Sequence, residues 1–340
     1  MFSSETELED RLTTPSPALV ADLAADSGDL LILGAGGKMG PTLARLARRG
    51  LDAAGRGGDR VLAVSRWSDP VAAQRLSDAG VDVVPFDLLG DADFAELPDA
   101  SRVVFMVGAK FGTATSPYLA WAVNAALPAR VASRYADARI SALSTGNVYP
   151  LVPAGSGGCA ETDPVAPVGE YAMSCLGRER VFEHAAATRG TEVALLRLNY
   201  AIDLRYGVLA DIGQRLLAGE PVDVTTSAVN VVWQGYANEV VLRGLAHASA
   251  EPFVLNLTGP ETASVRRIAE RFAARFDVEP VVTGEPAPSA LLNDASLCHK
   301  LFGYPEVPLA TLVDWQADWL AAGLPTSDKP TKFAVRDGRF

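Results

Sequence analysis

From Leu30 to Leu198 the chain alternates short apolar runs with longer stretches of helical periodicity. Residues 30–33 are four consecutive aliphatic residues. They enter a glycine-rich stretch, and a helical pattern follows from Pro41 to Arg49. Further apolar runs predict strands at 60–65, 81–84, 103–107, 139–143 and 193–198, with helical stretches between them. The longest predicted helices are 117–137 and 171–189. The runs are apolar throughout rather than alternating with polar positions, the pattern of strands covered on both faces. The expected class is α/β, with a parallel sheet between layers of helices. Upstream, residues 1–15 read as loose and polar. Ser16-Pro17 then gives a cap and an N1 proline for a short helix to about Ala25.

After Leu198 the rhythm changes. Helices are predicted at 206–218, 235–248, 264–276 and 309–322, with short strands at 222–224, 229–232 and 253–257. This reads as a smaller α/β lobe over the C-terminal strand ends, partly interleaved with the sheet. The expected division is an N-terminal arm and helix (1–28), a nucleotide-binding domain (29–200), a mainly substrate-binding lobe (201–325) and a tail (326–340). The tail is polar with interspersed aromatics and reads as either disordered or an arm on a neighbouring molecule.

The first strand runs into Gly34-Ala-Gly-Gly37-Lys-Met-Gly40. Gly34 permits a sharp turn, Gly37 lets backbone approach a pyrophosphate, and Gly40 lets the helix pack close to the strand. The free N–H groups at the helix start then face the phosphates. A dinucleotide site is expected here, against the plainer alternative of an ordinary strand-to-helix turn.

Composition narrows the partners. A net charge of −11 over 340 residues leaves no basic stripe for a nucleic acid. No apolar run reaches the ~18 residues of a membrane span, and the first residues lack a basic-then-apolar leader pattern. Cys159, Cys175 and Cys298 are scattered without metal-ligand spacing, as are the three histidines. Reduced thiols in a cytoplasmic protein and no metal site are expected.

Several motifs in order resemble the extended short-chain dehydrogenases/reductases, the NAD-dependent epimerase/dehydratase group. They are the glycine turn, Asp87-Leu88, Val107-Gly-Ala-Lys110, Asn124, Ser144-Thr-Gly-Asn-Val-Tyr149, Tyr171-Ala-Met-Ser174, Arg197-Leu-Asn199 and Leu255-Asn-Leu-Thr-Gly259. The resemblance covers about residues 29–322. It implies a Rossmann-type, doubly wound parallel sheet, hydride transfer at a nicotinamide, and a homodimer built on the helices at 117–137 and 171–189. It also implies cofactor contacts at Gly34, Gly37, Lys38, Met39, Gly40, Asp87, Leu88, Val107, Gly108 and Lys110. Asp87 has the alternative of a helix cap, and Lys110 that of an ordinary surface lysine.

The residue ending the second strand of such a fold meets the adenosine ribose, where an acidic side chain selects NAD. Here it is Ser65, followed by Arg66. A hydroxyl and a guanidinium suit a 2′-phosphate, so NADP is favoured over NAD. The alternative is an Arg66 that is solvated or stacks on adenine.

The resemblance assigns proton transfer to Tyr171 and orientation of the substrate oxygen to Thr145. The family's lysine, four residues beyond the tyrosine, is Cys175 in this chain. A free phenol has a pKa of about 10, and a neighbouring cation lowers a pKa by about 1–3 pH units. Losing the lysine therefore removes roughly 10- to 1000-fold of the reactive phenolate unless another charge replaces it. Lys110 is one substitute. Arg178 lies two turns away, ~10 Å along the axis, too far for direct contact by that measure. Cys175 reads as a space-filling residue in a working site, the mark of a site that binds without turnover, or a reactive thiol.

Nucleotide-sugar members of the family carry an arginine that grips the diphosphate; the aligned run here is Ala228-Val-Asn-Val-Val-Trp-Gln-Gly235. Ala228 stands at the arginine position. The expected substrate is therefore a small sugar or sugar acid without a nucleotide, bound by Asn199 and Arg205. Asn199 has the alternative of a turn cap, Arg205 that of an ion pair with Asp203, and Trp233 that of a core residue rather than a sugar platform. The expected activity is an NAD(P)-dependent oxidoreductase or epimerase. A degenerate cofactor-binding sensor or scaffold and a nucleotide-sugar epimerase/dehydratase are its rivals.

Overall fold

The computed structural model describes residues 2–113, 115–327 and 331–340. Among them, seven strands form one parallel sheet. They are β1 (Leu30–Leu33), β2 (Val61–Ser65), β3 (Asp82–Pro85), β4 (Arg102–Phe105), β5 (Arg139–Thr145), β6 (Glu192–Leu198) and β7 (Phe253–Leu257), in spatial order β7-β6-β5-β4-β1-β2-β3. The winding reverses between β1 and β4, and such a switch point leaves a crevice at the C-terminal strand ends. All four β1 side chains are buried because helices cover both faces. On one face Leu43, Leu46 and Leu51 of helix Gly40–Ala53 pack with Leu19, Leu23 and Val240. On the other, Val131, Phe182 and Ala185 pack against Leu31, Leu33 and Phe105.

The expected doubly wound sheet is present, and β7, from far along the chain, pairs parallel with β6 at its edge. Four local expectations need correction. Residues 5–12 are not loose: helix Glu5–Leu12 is capped by Ser4 and buries Leu8 and Leu12 in the lobe core. Only those two residues of the helix are buried, so the amphipathic signal is thin.

The helix expected at 117–137 is broken into Pro117–Trp121, a π-helical turn Ala122–Ala126 and Leu127–Arg134. Pro128 has no N–H to offer the Asn124 carbonyl, which weakens a regular helix there.

The strand expected at 229–232 is two strands. Ala228–Val229 pairs antiparallel with Ala263–Ser264, and Val232–Trp233 pairs parallel with Ala201–Ile202. Trp233 is a core residue, edge-on to Trp315. Finally, residues 331–340 dock on their own chain, with Phe333 and Phe340 buried.

Helix Gly169–Arg189 is locked beneath β5 and β6 by a buried ion pair. Arg197 Nε and Nη2 donate to Glu179 Oε1 and Oε2 at 3.0 and 2.8 Å. Ser144 Oγ donates to Glu179 Oε1 at 2.5 Å, and Arg197 Nη1 to the Tyr149 hydroxyl at 2.6 Å. Burial alone would lower the Arg197 pKa, but Glu179 and Tyr149 more than reverse it and hold it raised. No helix among the described residues is long and apolar enough to cross a membrane. Because Glu179→Ala leaves Arg197 buried and unpaired, it is expected to cost about 3–5 kcal/mol. Urea unfolding measures this, and a loss below about 1 kcal/mol would contradict the assigned role.

Candidate functional site

The glycine turn has the geometry of a phosphate cradle. Gly34 takes φ +91°, and a Cβ there would sit 3.0 Å from the Val107 backbone nitrogen, just past the end of β4. A Cβ on Gly40 would lie 2.2 Å from the Ala35 carbonyl oxygen, so only glycine allows the helix to start this close to the turn. A Cβ on Gly37 would meet only the Gly34 carbonyl oxygen, at 3.3 Å, so this face of the turn is open. Helix Gly40–Ala53 begins without a side-chain cap, leaving its first amides for an anion. These features fit a dinucleotide.

The flanking residues divide. Ser65 faces the turn, its Oγ 2.5 Å from where a Gly36 Cβ would be, and Arg66 is exposed beside it. Met39 packs on the core, and the Lys38 ammonium lies 2.9 Å from the Tyr206 ring centroid. The Asp87 carboxylate accepts from the Leu89 amide at 3.1 Å, the local cap weighed as its alternative. Leu88 is a core residue. Arg205 is engaged by Asp203 (2.8 Å) and Glu9 (3.1 Å). It lines a hollow of about 450 Å³ together with Gly36, Gly37, Ser65, Trp67 and Arg75. Its place is therefore the ion pair beside the turn rather than the tyrosine cavity.

The catalytic candidates do converge. Tyr171 stands in the first turn of helix Gly169–Arg189, and Thr145 ends β5. Both line a cavity of about 160 Å³ with Lys110, Ser144, Asn199 and Tyr206. Among the described residues the Asn199 Nδ2 is buried without a hydrogen-bond partner, a donor left over for a bound molecule. Val107 and Gly108 border the same strand ends, with the Arg178 Nη2 3.3 Å from where a Gly108 Cβ would be.

Burial sets the electrostatics. It raises the Tyr171 pKa well above the ordinary phenol value; Cys175 adds to the shift, while the Thr145 hydroxyl and Arg178 oppose it. Burial likewise raises the Cys175 pKa, against the pull of Arg178, so a neutral thiol fills the lysine slot. Lys110 is lowered to about 8, chiefly by burial.

Two contributors were hidden from sequence reasoning. Arg178 reaches back along its helix, donating to Leu143 O at 2.5 Å, Val107 O at 2.8 Å and Asn124 Oδ1 at 2.9 Å. Its Nε also donates to the Asn124 carbonyl, at 3.4 Å, the carbonyl that Pro128 leaves without an i+4 donor. No direct contact joins it to Tyr171 among the described residues, as the distance along the axis implies, but long helical side chains lean toward the N-terminus and its charge bears on the phenol. The second contributor is the segment 331–340, whose Phe340 ring lies 5.5 Å from Tyr171, centroid to centroid, at 80°. Its aromatic spacing was visible in the sequence, but its docking place was not.

The model of the NAD dependent epimerase/dehydratase family matches residues 30–206, and the chain belongs to that family. No curated protein matches it. Among solved structures it is similar to MoeE5 in complex with UDP-glucuronic acid and NAD, at 20% identity and TM-score 0.69, covering 87% of this chain and 100% of that one. It is similar to the UDP-glucuronic acid 4-epimerase of Bacillus cereus in complex with UDP-glucuronic acid and NAD, at 16% identity and TM-score 0.72, covering 86% and 99%. WbmG of Bordetella bronchiseptica in complex with NAD matches at 18% identity and TM-score 0.71, covering 90% and 98%.

A phenol with a raised pKa is protonated at neutral pH. It donates a proton readily and accepts one only as the rare phenolate. Any oxidation that uses Tyr171 as base should accelerate about tenfold per pH unit from pH 7, with a break near pH 8 where Lys110 loses its charge. Lys110→Met should remove the break. A pH-independent rate between 7 and 9 would exclude Tyr171 as the base.

Proposed function

We propose that the chain moves hydride between a nicotinamide dinucleotide and a hydroxyl-bearing carbon of a carbohydrate, as an oxidoreductase or epimerase. The observation that carries this reading is the convergence of Tyr171, Thr145 and the unpartnered Asn199 amide on one cavity at the strand ends beside the glycine turn. A bound nicotinamide supplies the hydride acceptor and donor. Thr145 holds the reacting oxygen, Tyr171 gives or takes its proton, and Asn199 donates to a second oxygen of the bound molecule. With a thiol at position 175, the resting phenol favours the direction in which Tyr171 donates, reduction of a carbonyl to an alcohol. The thiol itself supports a second reading, a site that binds without turnover. The retained Tyr171 and Thr145 weigh against that.

Two finer points rest on opposing support. The UDP-sugars bound by the neighbours favour a nucleotide-linked substrate over the unlinked sugar that the sequence suggests, while Ala228 offers no cation for a diphosphate. The neighbours' NAD favours NAD. Ser65, the exposed Arg66 and the nearby Arg75 favour NADP, our preferred cofactor. A homodimer is proposed on the face carrying exposed Tyr118, Leu119, Trp121 and Met173; a monomeric mass at micromolar concentration would contradict it.

The reading is tested by following NAD(P)H absorbance and isomer formation over free and nucleotide-linked sugars. Tyr171→Phe should lower turnover at least about 100-fold with cofactor affinity unchanged. Arg66→Ala should raise the KM for NADP about tenfold and leave that for NAD alone. Cofactor binding without turnover of any sugar would select the non-catalytic reading.

A further inference from the structure

Residues 331–340 cross the mouth of the catalytic cavity, and both ends of the segment touch it. At one end the Thr331 amide donates to Asp211 Oδ2 at 2.8 Å, and its hydroxyl donates to the same oxygen. The Thr331 carbonyl accepts from Lys110 Nζ at 3.2 Å. At the other end Phe340 packs edge-on to Tyr171, and its ring faces the Lys110 ammonium at 4.4 Å. Between them Phe333 is buried in the lobe core. Arg336 donates to the Ser289 carbonyl and hydroxyl at 2.6 and 3.0 Å. Gly338 lies flat on the start of the tyrosine helix: a Cβ on it would be 2.2 Å from Val168 O, and one on Gly169 would be 2.6 Å from Gly338 O. Each glycine permits the other's approach.

The segment fills the cleft that continues from the cavity toward the lobe. That cleft is walled by Asn147, Tyr149, Tyr200, Ala228 and Leu291 on one side and by Phe333, Arg336 and Phe340 on the other. About 30 Å³ remains in it, room for a water or two. Pockets that bury drug-sized ligands hold about 300–1,000 Å³. Among the residues lining the cleft Arg336 is the one cation, and Ser289 occupies it. A diphosphate placed there would meet a single guanidinium whose Nη1 and Nη2 already donate to Ser289, so most of its charge would be desolvated without a partner, which is costly.

We infer that residues 331–340 are a built-in wall of the substrate site, restricting it to a small, unlinked sugar acid; this rests on the hydride-transfer reading proposed above. The acidic class follows from Lys110. Its ammonium lines the cavity beside Tyr171, Thr145 and Asn199 and makes no ion pair among the described residues; the Asp211 carboxylate acts on it only at longer range, its own oxygen taken by Thr331. The cavity otherwise presents hydroxyls and an unpartnered amide donor, which suit the hydroxyl and carboxylate oxygens of an oxidised sugar. The segment sets specificity by occupying the space a nucleotide would need and by holding Lys110 from two sides.

The test pairs two probes that share one sugar, glucuronate and UDP-glucuronate, with galacturonate and gluconate as further small acids. Binding to the NADP-loaded and NAD-loaded protein is measured by calorimetry, and amide hydrogen exchange is followed in residues 331–340. The wall requires that UDP-glucuronate fail to bind at millimolar concentration and that the segment's amides stay protected with cofactor bound. It also requires that at least one small acid bind, and that Phe340→Ala weaken that binding about tenfold. Micromolar binding of UDP-glucuronate with loss of protection in 331–340 would make the segment a displaceable flap and overturn the proposal. So would an unchanged affinity in Phe340→Ala, or failure of every small acid to bind. Should Phe340→Ala not fold, Arg336→Ala loosens the same segment away from Tyr171 and is read in the same way. Because these are binding measurements, they stand apart from turnover, and a protein that binds a small acid without hydride transfer would overturn only the catalytic reading.

Discussion

Glu179 and Arg197 meet in the interior between the helix that carries Tyr171 and the strand that leads to Asn199. Two charges removed from water hold only if their remaining hydrogen-bonding capacity is met. Here Ser144 and Tyr149 meet it, and Tyr149 hands the network on to Asn256 at 3.0 Å. The pair thus ties β5, β6, β7 and helix Gly169–Arg189 at the level of the strand ends. Thr145 follows Ser144 directly, Asn199 follows Arg197 by two residues, and Tyr171 lies two turns before Glu179. The positions of all three cavity residues follow from one buried contact.

Above that contact the positive charge is arranged differently from the family pattern. A thiol occupies the helical position where an ammonium is expected. Arg178 is instead drawn under the strand ends, and Lys110 reaches in from the loop after β4. Arg178 donates to backbone carbonyls and to the Asn124 side chain, so within ion-pair distance among the described residues no carboxylate neutralises it. Its field opposes the rise that burial imposes on the phenol without abolishing it. The outcome is a phenol that stays protonated at neutral pH, the state the proposed direction of hydride transfer requires.

Much of this was legible in the chain itself. Aliphatic runs long enough to be strands and too uniform to be half-exposed gave the parallel sheet. Gly34 and Gly40 gave the turn because their roles are backbone roles that only glycine fills. Thr145, Tyr171 and Asn199 were singled out by the family motifs they match, and the fold brings all three to one cavity. What escaped was decided by tertiary reach. Arg205 was free to be a ligand until Glu9, nearly 200 residues away, met it from a helix whose two buried leucines gave little periodicity. Arg178 was rightly set apart from direct contact with Tyr171, but its anchoring to the carbonyls of Leu143 and Val107 depends on strands distant in the chain. The break at Pro128 was visible, but the hydrogen bond from Arg178 to Asn124 was not. The segment 331–340 could not be placed because its partners, Asp211, Ser289 and Gly169, belong to three separate parts of the chain.

The central claim is that a nicotinamide ring meets the Tyr171 phenol in the cavity of Thr145 and Asn199, with residues 331–340 still in place beside it. A crystal structure of the protein with bound NADPH or NADH tests it most directly. The account predicts the ring inside that cavity, with the reacting carbon facing an acceptor position about 3–3.5 Å away that the Tyr171 and Thr145 hydroxyls can both reach. A ring lodged elsewhere, or one that enters only with Phe340 expelled from Tyr171, would contradict it.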